Sequence, residues 1–106
     1  MTAESAHTDG PTREVLASVE GLRVQLVTLA PDQRIPWHRH TVAADTVIAI
    51  VGPVTVETRA EARSLLPGER VVIPAGTEHT VHGRDGAGCR FLNLHAGGAY
   101  DFVATS

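Results

Sequence analysis

Two histidines one residue apart, His38 and His40 in Trp37-His38-Arg39-His40, are the residues of this 106-residue chain with the plainest chemical meaning. In an extended strand alternate side chains share a face, so such a pair can grip a single metal ion. A third imidazole, His79, follows about forty residues later in Pro74-Ala75-Gly76-Thr77-Glu78-His79. With the carboxylate of Asp45 these would form a mixed nitrogen and oxygen donor set, which suits iron, manganese, nickel, copper or zinc. One divalent transition metal per chain is the expected cofactor, with iron or manganese favoured. Asp45 has other roles open to it: orienting a ligating histidine, acting as a general base, or serving a turn.

These residues stand in a gapped frame. From Asp32 the chain reads five residues, His38-x-His40, four residues, Asp45, six residues and Gly52. From Gly68 it reads five residues, Pro74-x-Gly76, two residues, His79, three residues and Gly83. The frame resembles the two motifs of the cupin superfamily over roughly residues 22 to 95. Three positions depart from it: Asp32 replaces a glycine, Asp45 a glutamate and Gly83 an asparagine. Asp32 and Gly83 are expected turn residues, where such exchanges are tolerated. Asp45 is one methylene shorter than the glutamate, which leaves its reach to the metal open.

The flanking segments read as short strands. Glu14–Val19 is a weak strand closed by Glu20-Gly21, and Leu22–Leu29 alternates, with Leu22, Val24 and Leu26 on one face and Arg23 and Gln25 on the other. Pro36 marks an edge or a bend in the strand that carries His38 and His40. Thr46–Val51 and Val54–Thr58 flank Gly52-Pro53 and read as a hairpin. Residues 60 to 66 suit a strand or a short helix. Gly83 to Gly88 is a long turn before Cys89–His95, the last well-marked strand. Short strands with glycine and proline turns argue for an all-β sandwich or barrel, and closure hides the edges. The resemblance then implies a cupin jelly-roll barrel, a double-stranded β-helix, over residues 13–106 behind a flexible N-terminal tail at 1–12. It places the metal near one mouth.

Strand parity sets further expectations. Phe91, Asn93 and His95 share a face, and His95 is either a packing residue or a catalytic acid or base beside Asp45. His82 points away from His79 and should be exposed. Trp37 and Arg39 face outward and would mark a contact surface for a homodimer. Val47, Ala49, Val54, Val56, Val71 and Ile73, or their neighbours, should line a pocket for a modest, partly apolar substrate. Cys89, the lone cysteine, reads as a buried thiol, and His7 as incidental.

Composition narrows the function classes. The formal charge is −3 with both signs interspersed, which gives no footprint for nucleic acid. All nine basic residues are arginine, so no lysine Schiff base is available. No apolar run is long enough for a bilayer, and the N-terminus lacks a basic start and an apolar stretch. A cytoplasmic protein without a membrane partner is the expectation. A serine hydrolase is disfavoured, because no Gly-x-Ser-x-Gly elbow occurs. The leading functional expectation is a metal-dependent, dioxygenase-like non-heme oxygenase acting on a small organic substrate. A Lewis-acid isomerase, lyase or cyclase and a non-catalytic binding cupin are the alternatives.

Overall fold

The computed structural model describes residues 11–106, so His7 and most of the expected tail lie outside the described residues. Ten strands run in order: β1 (Thr12–Val19), β2 (Leu22–Leu29), β3 (Arg34–Arg39), β4 (Ala44–Val51), β5 (Val54–Thr58), β6 (Ala62–Leu65), β7 (Arg70–Ile73), β8 (His79–Gly83), β9 (Cys89–Ala96) and β10 (Val103–Ala104). A single 3-10 turn, Arg84–Gly86, is the only helical element among the described residues. Thr12, assigned to the tail by its polarity, is already paired in β1, opposite Thr28.

Two antiparallel five-stranded sheets face each other, ordered β1-β2-β9-β4-β7 and β10-β3-β8-β5-β6. The first sheet contributes Val27, Leu29, Val47, Ala49 and Phe91 to the core, and the second contributes Ile35, Val54, Val56, Leu65 and Val81. Burying such aliphatic surface stabilises by about 25 cal/mol per Å2, which makes this packed region the main source of cohesion.

Two local expectations change, and the strand-or-helix alternative at residues 60 to 66 is resolved. The segments flanking Gly52-Pro53 form no hairpin: β4 pairs with β7 and β9, whereas β5 pairs with β6 and β8. The turn carries the chain from one sheet to the other, as the closure of a two-sheet barrel requires. In β2 the inward face is that of Gln25, Val27 and Leu29, and Leu22, Val24 and Leu26 lie outward. The apolar residues further along the strand command the core, and the inward row nearer the turn is left to polar side chains. Residues 62 to 65, the helix or strand alternative, are strand, paired with β5.

The turn positions of the motif frame have different physical reasons. Asp32 adopts a left-handed backbone at φ 67° and its N–H donates to Gly86 O at 2.9 Å. Gly83 has an ordinary φ of −76°, but a Cβ there would lie 1.8 Å from Ala87 O. Space, not backbone conformation, demands glycine at that position.

Candidate metal centre

The site is set by a fault in a ladder. Ile35 opposes Val81 in β8, but His38 opposes His79, so β3 carries one extra residue across the Pro36-Trp37 step. Such a bulge resets the side-chain phase. Ile35 and His38, three residues apart, can therefore both point inward, one into the core and one into the site; both are buried. Pro36 favours the break because it cannot donate to the ladder. The Ile35 carbonyl is satisfied instead by the buried Thr80 hydroxyl, which donates to it at 2.6 Å.

His38, His40, Asp45 and His79 are all buried, and one ligand atom from each lies within 4.8 Å of the others. The shorter aspartate thus reaches the imidazoles. Backbone carbonyls orient each ring: His38 Nδ1 donates to Pro36 O at 2.7 Å, His79 Nδ1 to Thr77 O at 2.8 Å and His40 Nδ1 to Asp101 O at 2.5 Å. A carbonyl oxygen only accepts, so each Nδ1 carries the proton and each Nε2 offers a lone pair. Asp45 is held from behind, where Asn93 Nδ2 donates to Oδ1 at 2.8 Å and Gln25 Nε2 donates in turn to Asn93 Oδ1 at 3.5 Å.

The front of the cluster is electrostatically incomplete. Asp45 Oδ2 lies 3.1 Å from His79 Nε2 and 3.4 Å from His40 Nε2. With both Nδ1 atoms protonated, these contacts set acceptor against acceptor, and the buried His40 Nε2 has no hydrogen-bond partner. A cation between them resolves the conflict. In the metal-free chain a proton on an imidazole Nε2 answers the same conflict: burial pushes the Asp45 carboxyl up, but the contacts of His40, His79 and His95 with it outweigh burial and hold the group well below the usual carboxylate range. Burial lowers His38 to about 4, so it is neutral and ready to donate at neutral pH. Burial also presses on His40, yet the Asp45 carboxylate facing it and the Asp101 carbonyl raise it overall. The donor set and its orientation fit a divalent transition metal.

Register extends the site across the first sheet. His95 opposes Asp45 on one side and Arg23 on the other, so Arg23, His95 and Asp45 form one row. His95 Nε2 lies 3.5 Å from Asp45 Oδ1, and its buried Nδ1 has no partner. His95 thus lines the same cavity as His38, His40 and Asp45. The chain end closes the mouth: Phe102 stacks on His38 at 4.3 Å between ring centroids, and Tyr100 packs against His95 at 4.7 Å and His40 at 5.5 Å. Between them, Asp101 accepts from Thr41 N at 2.8 Å and from Thr41 Oγ1. The C-terminal residues carry little strand signal, and the available clue was that two of the four aromatic side chains fall within the last seven residues.

Other expected positions resolve differently. Val47, Ala49, Val54, Val56 and Ile73 are packed into the core and Val71 lies against it. The cavity at the histidines is lined by Ile35, Val81, Phe91, Asn93, Tyr100 and Phe102 among others, and its volume is only about 10 Å3. That is room for an ion or a water, not for an organic molecule. Trp37 is half-buried and stacked under the Arg59 guanidinium at 3.8 Å, and Arg59 also pairs with Glu78 at 2.9 Å. His82 is partly shielded, 3.2 Å from Glu57 and remote from the row. Cys89 is buried, which pushes its thiol up to about 11.

Two facing sheets with three inward histidines and a carboxylate at one mouth define the double-stranded β-helix class with a metal-type centre. The cupin-domain family model matches residues 25–95, and the chain belongs to the cupin family. Similar solved structures include a double-stranded β-helix protein from Klebsiella pneumoniae, with TM-score 0.81, 21% identity and coverage of 95% of this chain and 90% of that one. KdgF from Halomonas sp. matches with TM-score 0.75 and 22% identity over 85% of this chain and 81% of its own. The DMSP lyase DddQ from Ruegeria pomeroyi matches with TM-score 0.80 and 21% identity over 92% of this chain, but over only 52% of its own. At these identities the likeness is one of fold. No curated protein matches the sequence. Among the described residues no helix is long and apolar enough to cross a membrane.

Proposed function

We propose that the protein is a metal-dependent enzyme that moves a proton on a small organic substrate, an isomerase, lyase or cyclase. The observation that carries the metal is the buried confrontation of Asp45 Oδ2 with His79 and His40 Nε2, which a cation relieves. His38, His40, His79 and Asp45 would hold it, and a divalent ion there supplies Lewis acidity toward a substrate oxygen.

The chain supplies the rest. His95 is the proton carrier: its Nε2 faces Asp45 Oδ1 and its buried Nδ1 is unpartnered, so the ring has one nitrogen held and one left for a substrate. Asp45, pinned by Asn93, sets a carboxylate beside that imidazole and orients it. Tyr100 and Phe102 keep bulk water off the row. A non-heme oxygenase is the second reading, favoured by the donor set itself, since three imidazoles and one carboxylate leave coordination positions open on a redox-active ion.

The test starts from full-length protein purified without chelators and analysed for metal. About one transition-metal ion per chain, lost in His79→Ala, supports the centre, whereas undiminished metal in that variant removes it. Turnover of small carbonyl compounds that persists under argon and falls in His95→Gln supports proton transfer. Turnover that stops without oxygen transfers the assignment to the oxygenase reading.

A further inference from the structure

Beside the metal cavity, and separated from it by the Tyr100 ring, is an open recess of about 480 Å3 between the β1–β2 turn and the loop at Gly97–Tyr100. Ser18, Arg23 and Tyr100 line it, and Tyr100 lines the metal cavity as well. Gly97 N–H donates to Gly21 O at 3.1 Å, which ties its two walls together. The size is that of a small-molecule site, which the 10 Å3 cavity is not.

Arg23 is unusual there. It stands on the inward row, in register with His95, and its guanidinium lies 4.7 Å over the Tyr100 ring. Its Nε is buried and has no hydrogen-bond partner. Among the described residues the arginine ion pair is between Arg59 and Glu78, and Arg23 has no carboxylate of its own. A guanidinium with no carboxylate partner and a buried donor left unpaired is not satisfied within the chain. Stacking occupies the face of the guanidinium and leaves its edge free, and that edge matches a carboxylate in a two-point fork.

We propose that this recess binds the carboxylate of a small organic acid, with Arg23 as its anchor. A monoanion fits better than a polyanion, because one arginine serves the recess and the neighbouring Asp45 and Asp101 repel additional negative charge. Anchorage at Arg23 stands on these contacts alone. Its extension, that the acid is the substrate and reaches the metal when Tyr100 swings aside, rests on the metal-dependent reading above.

The experiment is calorimetric titration of the full chain with benzoate, with its neutral isostere benzamide and with inorganic phosphate. Benzoate is expected to bind at least about tenfold more tightly than benzamide, as one charge-assisted fork allows. Arg23→Gln should erase that preference, Arg23→Lys should retain part of it, and Arg13→Gln, whose guanidinium lies over Phe102 and outside the recess, should leave it intact. Ser18→Glu provides a variant that leaves Arg23 in place: Ser18 is exposed and in register with Arg23, so the new carboxylate should occupy the guanidinium and block benzoate. Equal affinity for benzoate and benzamide, or a preference that survives Arg23→Gln or Ser18→Glu, overturns the proposal. Tighter binding of phosphate than benzoate overturns the carboxylate class. Metal content measured on the same samples separates the two readings: benzoate preference without bound metal defeats the metal centre and leaves the anion site standing.

Discussion

The two ends of the barrel are built by the same three strands and, apart from the half-buried Arg23, are buried to a similar degree, yet they do opposite work. At one end β2, β9 and β4 present Val27, Phe91 and Ala49 in a row; four residues along, the same strands present Arg23, His95 and Asp45. Between them lie Gln25, Asn93 and Val47, two polar residues and one apolar. Removing the first row from water is favourable outright. Removing the mouth row is favourable only where each polar group finds a partner, and His40 Nε2, His95 Nδ1 and Arg23 Nε do not. Burial by itself therefore does not separate scaffold from site; the satisfaction of the buried groups does.

If the ends are as independent as this contrast implies, damage at one should not be read out at the other. Leu29→Ala removes a fully buried side chain beside that apolar row, outside the lining of the metal cavity, and should cost about 2–5 kcal/mol of unfolding free energy. Denaturant unfolding should show that loss while metal per folded chain stays at the wild-type level. Metal stripped from folded Leu29→Ala protein would mean that the core positions the ligands directly.

The reciprocal damage is next in size. His38→Ala should lower metal affinity by more than about a hundredfold, beyond what loss of a supporting partner does. The metal-free variant should melt no earlier than metal-free wild type, since it relieves a buried acceptor cluster. Asp45→Asn keeps an acceptor for Asn93 but removes the charge, and affinity should fall by about tenfold to a hundredfold. Competition against a chelator gives both numbers. An Asp45→Asn protein with unaltered affinity and unaltered turnover would reduce Asp45 to a strand residue.

Proton uptake sharpens the same contrast in the metal-free protein. Burial holds His38 at about 4 in the folded chain against 6.5 when exposed. Between those values the unfolded chain binds the extra proton, so the His38 contribution is complete above 6.5 and is lost as pH falls toward 4. His40, shifted upward, works in the opposite sense. Unfolding midpoints measured at several pH values should therefore fall less steeply in His38→Gln than in wild type through that window. Parallel curves would show that His38 is not desolvated.

Much of this was legible in the residues. The His38-x-His40 pair, Asp45 and His79 come together as their spacing implies, and the strands with their glycine and proline turns build the two-sheet barrel. What escaped depends on long-range register. Nothing local says that β4 and β5 belong to different sheets, because Gly52-Pro53 suits a hairpin and a crossover equally. Alternation in β2 reveals two faces without saying which one the barrel encloses. His95 was ambiguous until pairing placed it opposite Asp45. Tyr100, Asp101 and Phe102 sit in a segment with no periodic pattern, and their role comes from folding back over β3.

That returning segment carries the smallest of the expected effects. Asp101 orients His40 through its backbone oxygen while its side chain is clamped by the Thr41 N–H and hydroxyl, whose hydrogen bonds hold the Asp101 carboxyl below its usual range. Val103 and Ala104 then pair with Arg39 and His38, so the segment is fastened on both sides of Phe102. Thr41→Val preserves shape and removes only the hydroxyl contact, leaving the backbone donor and β10 in place. Metal affinity should fall by no more than about tenfold, at the lower limit for a supporting partner, with the unfolding midpoint unchanged. A loss as large as that of His38→Ala would mean that the chain end belongs to the centre itself. No change at all would show that the Thr41 N–H and β10 suffice to hold the Asp101 carbonyl on His40.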